Sequence, residues 1–252
     1  MPKSPSRRSI ATKPGAKPLL LWAALFALTS AWGSLAMAAP AGQVTHLSGI
    51  LSVKRADGAV KLLSVKSEVQ EGDLLVTESE SWARVKFNDG SELIVRPESR
   101  IKIDNFAYNP AKPEGDSVVI SMLKGGLRAV TGLIGKRNRE KITFQTETAT
   151  IGIRGTITGM SQCGQICNQP GETDGIDVDV TVGAVEISSK TGKGKALIGA
   201  GKFGFIPKDP NKPPIETPKG KTFDVPNNIM TNKGGGRSPT SNKPGAVDCE
   251  VR

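Results

Sequence analysis

Two serine–lysine pairs of this chain have the spacing of a hydrolase motif. The Ser-x-x-Lys pattern occurs twice, at Ser99–Lys102 and Ser121–Lys124. In hydrolases this motif places both side chains one helical turn apart on one face. Both matches lie in alternating, strand-like sequence, where residues three apart point to opposite faces. With His46 as the only histidine, the sequence predicts no enzyme, and an envelope hydrolase remains a remote alternative.

Acidic side chains form a second candidate site. The densest cluster consists of Glu172, Asp174, Asp177 and Asp179. Oxygen ligands of this kind suit calcium, but the spacing matches no established calcium loop. We therefore expect a solvated acidic loop without metal or cofactor, and calorimetry with calcium would test the alternative.

The cysteines suggest a structural bridge. Cys163 and Cys167 are close together in a glycine-containing loop, and a turn could bring their Cα atoms within disulfide distance. A redox or metal pair is the other reading, although zinc sites usually need four ligands. The sequence favours a Cys163–Cys167 disulfide, with a bridge from either residue to Cys249 as the main competitor. The fate of Cys249 stays open.

A single arginine between two glycines carries the most distinctive pattern. Gly152 and Gly155 flank Arg154, as happens in a strand where another backbone comes close. We expect Arg154 to be a buried or half-buried clamp that binds carbonyls or a carboxylate. A contact to an anionic ligand is the alternative, because guanidinium geometry suits carboxylates.

The elements that position this arginine follow from the alternation of side chains. The pattern predicts one strand over 150–158, with Ile151, Ile153 and Ile157 on one face and the threonines on the other. The apolar phase changes near Glu147-Thr148, which predicts a bulge or corner there. Such kinks are used to turn a strand from one sheet to another.

The first 38 residues are typical of an export signal. Basic residues precede the apolar run of 19–28, and Ala36-Met37-Ala38 has the small-x-small pattern of a cleavage site. An uncleaved membrane anchor is the alternative, because 19–39 is uncharged and long enough to span a bilayer. We predict cleavage, a periplasmic or surface-exposed protein, and no stable membrane insertion afterwards.

The positive charge of the chain does not indicate nucleic-acid binding. Lysine and arginine total 34 against 24 acidic residues, a net charge of +10. Most of this excess lies in the signal and in the C-terminal tail, and aromatic residues make up only 4% of the chain. Nucleic-acid binding usually requires a basic face with stacking aromatics.

Residues 39–206 predict an all-β domain. Val, Ile and Thr alternate with polar residues, and glycine interrupts them at short intervals. We expect many short strands in a twisted sandwich, prism or solenoid-like arrangement. Residues 207–252 contain few apolar side chains and eight prolines, which predicts a disordered tail with at most a short docking segment at Thr222–Val225.

One hairpin can be placed in register. A three-residue loop of Asn88-Asp89-Gly90 sets Val85 opposite Leu93 and keeps both strands apolar on one face. A two-residue loop would mix the faces, because a slip of one residue inverts every side chain. Gly90 is therefore predicted to take the left-handed bulge position.

Six segments of the chain match a known domain in the same order: 71–77, 87–91, 123–138, 148–156, 182–187 and 199–201. Together they resemble the FecR domain of bacterial exported proteins. The resemblance implies an extracytoplasmic β domain, which in well-known members follows a cytoplasmic anti-sigma region and a membrane helix and relays iron-siderophore signals. Only 18 residues precede the apolar run here, so the resemblance does not imply sigma-factor regulation.

The sequence thus favours a non-enzymatic extracytoplasmic binding or interaction module. The expected partner is an envelope protein, a glycan or a small ligand. The alternative is a periplasmic sensory or signal-relay component that acts with a separate membrane partner.

Overall fold

The computed structural model describes residues 39–163, 174–218, 220 and 224–230. They belong to one compact unit, Ala38–Arg252. The predicted signal, Cys167, Glu172 and Cys249 lie outside the described residues. The described chain is nearly all β, which confirms the predicted fold class.

The strands form two nine-stranded sheets, here called sheet A and sheet B, and are numbered in chain order. Sheet A has the order β18-β17-β14-β13-β10-β7-β6-β1-β4. Its strands are β1 (Pro40–Ser48), β4 (Glu68–Gln70), β6 (Trp82–Phe87), β7 (Glu92–Val95), β10 (Gly126–Val130), β13 (Ile157–Gln162), β14 (Gly175–Val182), β17 (Phe203–Pro207) and β18 (Ile215–Thr217).

Sheet B has the order β16-β15-β12-β11-β9-β8-β5-β2-β3. Its strands are β2 (Leu51–Lys54), β3 (Val60–Leu63), β5 (Leu74–Thr77), β8 (Arg100–Ala107), β9 (Ser117–Lys124), β11 (Ile142–Gln145), β12 (Ala149–Ile153), β15 (Ala184–Ser189) and β16 (Lys195–Gly199). The described helices are a 3-10 turn (Pro113–Gly115), α1 (Leu133–Arg137) and α2 (Asn227–Met230).

The chain places one or two strands in one sheet before it crosses to the other. Both sheets are therefore extended from the N-terminal strands at one edge to the C-terminal strands at the other. Neighbouring strands are antiparallel except β9 and β11, which are parallel. The chain leaves β9 for sheet A and returns through α1, so β11 arrives in the same direction. This path gives the solenoid-like sandwich that the sequence allowed.

The core lies between the sheets. Alternate residues point inward, so Val53 and Ile101 of sheet B and Val85 of sheet A are fully buried. Phe87 of sheet A stacks on Phe106 of sheet B with ring centroids 5.0 Å apart. Burial of one face of each strand is what the alternating pattern requires.

The β6–β7 hairpin confirms the predicted register. Val85 pairs with Leu93 and Lys86 with Glu92, while the amide of Phe87 donates to the carbonyl of Ser91 at 2.9 Å. Gly90 has φ +79°, the left-handed conformation expected at the bulge position.

The predicted strand over 150–158 is wrong, because the chain changes sheets within it. β12 ends at Ile153 in sheet B and β13 begins at Ile157 in sheet A, with Gly155 at φ +69° between them. The corner also reverses the side-chain phase, so Thr156 and Thr158 are buried while Ile157 is half-buried.

The corner predicted at Glu147-Thr148 is present as the turn of a hairpin, and the chain does not change sheets there. β11 and β12 are hairpin partners in sheet B, with Gln145 opposite Thr150. An even-numbered residue therefore faces an odd-numbered one across the hairpin. This pairing accounts for the change of apolar phase without a change of sheet.

The C-terminal boundary at residue 206 needs correction. β17 extends to Pro207, and β18 pairs with it at the edge of sheet A. Further along, Ile229 of α2 is buried against the body. These described parts of the region 207–230 are ordered, although the sequence predicted a disordered tail.

Candidate functional site: a cleft at the sheet corners

Along one edge of the sandwich the chain crosses between the two sheets at four corners, which contact each other in two pairs. In the first pair, Gly49 (φ +81°) faces Ser81 so closely that a Cβ atom at Gly49 would lie 2.3 Å from the serine Oγ. That Oγ accepts a hydrogen bond from the amide of Ile50 at 2.8 Å. Glycine is required here by both backbone conformation and space.

The second pair repeats this arrangement. Gly125 (φ +82°) faces Ser99, whose Oγ would lie 2.2 Å from an added Cβ. The amide of Gly126 donates to that Oγ at 2.9 Å. In both serine corners a glutamate with positive φ precedes the serine, Glu80 at 56° and Glu98 at 54°. The Glu-Ser dipeptide therefore marks a repeated corner.

A cleft of about 500 Å³ opens between these corners. It lies where β6 begins, β7 ends, β10 begins and β13 ends, so four neighbouring strand termini place its side chains. The guanidinium of Arg96 lies over the Trp82 ring, 6.0 Å from its centroid. The lining residues are Trp82, Arg96, Pro97, Glu98, Lys124, Gly125, Gly126 and Gln162.

Two smaller depressions continue the cleft on either side of Lys124. One includes Gln162, Asp174 and Lys208, and the other includes Glu98 and Arg100. Lys124 lines all three. The edge thus presents one aromatic side chain, several cations, an amide and a few carboxylates in adjoining depressions that share Lys124.

Both serines and Lys102 of the two Ser-x-x-Lys matches have other hydrogen-bond or salt-bridge partners. The Ser99 hydroxyl is buried in its corner and hydrogen-bonds the carbonyl of Gly126 at 3.1 Å. Lys102 is paired with Asp104 at 2.8 Å, and Ser121 donates to the same carboxylate at 2.5 Å. Neither Ser-x-x-Lys match therefore gives a serine beside a lysine base within the described chain.

Arg154 lies at the other end of β12 from this cleft. It is paired with Glu186 of β15, so the predicted carboxylate partner is present. The predicted burial is wrong, since the arginine side chain is 47% exposed. A Cβ at Gly152 would find nothing closer than the Glu186 carbonyl at 3.8 Å, which is ordinary contact. A role for Arg154 in ligand binding stays a prediction.

The close backbone approach beside Arg154 comes from another corner. Gly183 (φ +80°) joins β14 to β15, and a Cβ there would lie 2.2 Å from the carbonyl oxygen of Gly155. The corner from sheet B to sheet A and the corner that returns therefore stack on each other.

The acidic cluster does not form one loop. Asp177 and Asp179 lie on the same face of β14, and Asp179 is buried. Asp174 pairs with Lys208 at 2.7 Å; this hydrogen bond lowers the pKa of Asp174 and raises that of Lys208. Within the described residues, no group of three or more His, Cys, Asp or Glu side chains could hold a metal ion.

The loop that contains the cysteine pair is closed at its base. The amide of Cys163 donates to the carbonyl of Gly175 at 3.1 Å, which joins the end of β13 to the start of β14. Cys167 lies outside the described residues, so the Cys163–Cys167 bridge stays a prediction. Peptide mapping of the unreduced protein would test it and would reveal a bridge to Cys249.

A buried ion pair lies at the N-terminal end of sheet B. Arg55 donates to Asp73 at 2.5 Å, and the amide of Gln70 donates to the same carboxylate at 2.8 Å. Burial raises the pKa of Asp73, and the hydrogen bond from Gln70 and the charge of Arg55 oppose it. The pair holds the turn before β5.

Sequence reasoning missed Trp82, Arg96, Lys124 and Gln162 because they are far apart in the chain. The Glu-Ser dipeptides at 80–81 and 98–99 recur at the two corners, but a third at 78–79 means that the dipeptide alone could not have located them.

The FecR protein family model matches residues 73–186. The chain carries a FecR domain. The matched range runs from β5 into β15, and the same two sheets continue before and after it. The FecR domain of this chain is therefore part of a longer sandwich.

No curated protein matches this chain. A solved cell surface anchoring domain aligns with 25% of this chain and 84% of its own length, at 20% identity and a TM-score of 0.25. A candidate anti-sigma factor from Parabacteroides distasonis aligns with 57% of this chain at 11% identity and a TM-score of 0.40. The alignment spans 58% of that protein.

The part of the chain that the structure describes has no helix of the length and apolarity needed to cross a membrane.

Proposed function

We propose that this FecR-domain protein is an exported, non-enzymatic interaction module that binds a glycan of the cell envelope through the corner cleft. The convergence of Trp82, Arg96, Lys124 and Gln162 from four strand termini carries the proposal. A flat aromatic face can stack on a sugar ring, while the amide and cations can hydrogen-bond hydroxyl and carboxylate groups. The export-signal pattern of residues 1–38 supports an extracytoplasmic location.

The open shape of the cleft favours an extended ligand over a small enclosed one. The cleft continues into depressions on both sides of Lys124, so a polymer could run along the edge. Small-molecule sites usually enclose most of the ligand surface, whereas this groove is open.

Intrinsic fluorescence offers a direct test. The chain has three tryptophans, and Trp22 and Trp32 both precede the described domain. Titration with soluble peptidoglycan fragments and with anionic oligosaccharides should shift the emission of Trp82. Trp82→Ala lacks this fluorophore, so calorimetric titration is used for the variants, and Trp82→Ala should bind neither ligand. Trp82→Phe keeps an aromatic face and should retain part of the affinity.

Arg154→Ala is the matched control, because Arg154 is an exposed arginine at the opposite end of β12. It should bind like the wild type, while Arg96→Ala should bind more weakly. Full binding by Trp82→Ala would refute the cleft. Loss of binding in Arg154→Ala alone would move the site to that corner.

The FecR match supports a second candidate, a sensory or signal-relay component that acts with a separate membrane partner. A photo-crosslinking residue at position 124 would distinguish the two proposals during co-expression. A specific crosslink to one membrane protein, lost on competition by a glycan, would join both functions. A crosslink that glycans do not affect would favour the relay alone.

A further inference from the structure

The outer face of sheet B near its N-terminal edge is unusual for its exposed apolar side chains. Val60 and Leu62 of β3 are 69% and 76% exposed. The cross-strand register places Leu62 beside Ser52 and Val76, and Val60 beside Lys54 and Leu74. These outward positions belong to three adjacent strands, β3, β2 and β5, so they form one surface.

Cations border this surface. Lys102 and Arg100 of β8 lie opposite Leu74 and Val76, and Lys54 lies opposite Val60. Within the described residues Lys54 and Arg100 form no salt bridge, whereas Lys102 is paired with Asp104. The basic apolar face, as we name it, consists of Ile50, Ser52, Lys54, Val60, Leu62, Leu74, Val76, Arg100 and Lys102.

Three carboxylates lie near the three cations of this face, but none of them forms a salt bridge with Lys54 within the described residues. Asp104 is neutralised by Lys102 at 2.8 Å. Glu78 and Glu98 lie at the corner rim beside Arg100, away from Lys54 and the β3 end. The free positive charge is therefore next to the most exposed apolar residues.

The edge of β3 is protected against strand addition, although its outer face is exposed. Lys61 pairs with the buried Val53, so it occupies a position of β3 that faces the core side, yet its side chain is exposed. An inward-pointing charge on an edge strand is a common defence against pairing with another strand. The edge therefore disfavours β-augmentation, and the face remains as the binding surface.

A second copy of the chain is a poor occupant of this face. A symmetric contact buries the same surface of both copies. Lys54, which has no salt-bridge partner among the described residues of its own face, would therefore lose its hydration in both copies at once, which is costly for a charged group. An anionic lipid surface instead offers apolar chains to Val60 and Leu62 and negative headgroups to the cations.

We propose that the basic apolar face docks this domain on the surface of an anionic lipid bilayer without insertion. Val60, Leu62 and Ile50 enter the headgroup boundary, and Lys54 and Arg100 contact lipid phosphates. This proposal is independent of glycan binding in the corner cleft.

Hydrogen exchange of the full chain resolves this contact by region. Co-sedimentation with vesicles alone would not identify the contacting region, because the apolar run of residues 19–28 has its own affinity for lipid. Vesicles of phosphatidylglycerol and phosphatidylethanolamine should slow exchange in peptides covering 51–63 and leave those covering 195–199 unchanged. Phosphatidylcholine vesicles should give little protection, and high salt should reduce the effect.

Matched serine variants complete the test. Val60→Ser/Leu62→Ser should lose the protection of 51–63, whereas Leu197→Ser, an exposed leucine on the opposite edge strand of sheet B, should keep it. Unchanged protection in the double variant would overturn the proposal. Protection that grows with protein concentration in the absence of vesicles would overturn it in favour of self-association.

Discussion

The outer faces of the two sheets have opposite environments, although both belong to nine-stranded sheets of one chain. On sheet A, Arg84, Ile94 and Asp179 point away from the core and are nevertheless buried. On sheet B, Val60 and Leu62 point outward and are exposed. Strand alternation is the same in both, so local pattern does not decide which outer face is covered.

The C-terminal segment accounts for part of this difference. β18 forms one end of sheet A, and α2 contacts β1 and β6 near the other end. Arg84 donates to the carbonyls of Ile229 at 3.3 Å and Met230 at 3.0 Å. The guanidinium thus satisfies carbonyl groups of α2 that lack partners within so short a helix.

An isoleucine on the covered face should give the largest effect. Ile94→Ala should lower the free energy of unfolding by about 3 kcal/mol, because a buried side chain leaves a cavity. Leu62→Ala on sheet B should change it by less than about 0.5 kcal/mol. Urea denaturation measures both, and equal losses would show that the comparison of the two faces is wrong.

Charged pairs should show the same contrast at a smaller scale. Arg84 holds both carboxylate oxygens of Glu92 at 2.7 Å, so Arg84→Ala should cost about 2 kcal/mol by leaving a partly buried carboxylate unpaired. It should also speed proteolysis near α2. Lys102→Ala removes an exposed pair of sheet B and should cost less than about 1 kcal/mol.

The β6–β7 hairpin sets which residues reach the covered face, since a slip in register would turn Ile94 inward. Gly90→Ala should cost about 1 kcal/mol through its positive φ alone, because nothing lies within 4 Å of the added Cβ. Gly115→Ala is the control, as that site has equal space and no positive φ. Equal stability of both variants would argue against strain at Gly90.

The Arg55–Asp73 pair should have the smallest effect, seen as a change with pH. Burial raises the pKa of Asp73 above its usual 3.8, so protonation favours the folded state. Its contribution is present below the unfolded pKa and is lost as pH rises through the folded pKa. Asp73→Asn cannot ionise, so the stability of the wild type relative to this variant should fall from pH 3 to pH 7. A constant difference would contradict the shift.

Local rules predicted the parts of the fold that depend on neighbours in sequence. The hairpin at Gly90 followed from alternation and turn chemistry, and the structure has that register. The prediction of one strand over 150–158 failed because Gly155 permits both a bulge and a corner. Only the position of the second sheet selects between them. The docked α2 was missed because its partner Arg84 lies 145 residues before Ile229.

The sequence alone was enough to predict the all-β class, the alternating burial and the FecR resemblance, because each depends on short-range periodicity or contiguous motifs. The folded arrangement was needed to see that Trp82, Arg96, Lys124 and Gln162 share a cleft, and that one outer face is covered while the other is exposed. These features arise from contacts between distant segments, which burial and sheet order fix and no local pattern specifies.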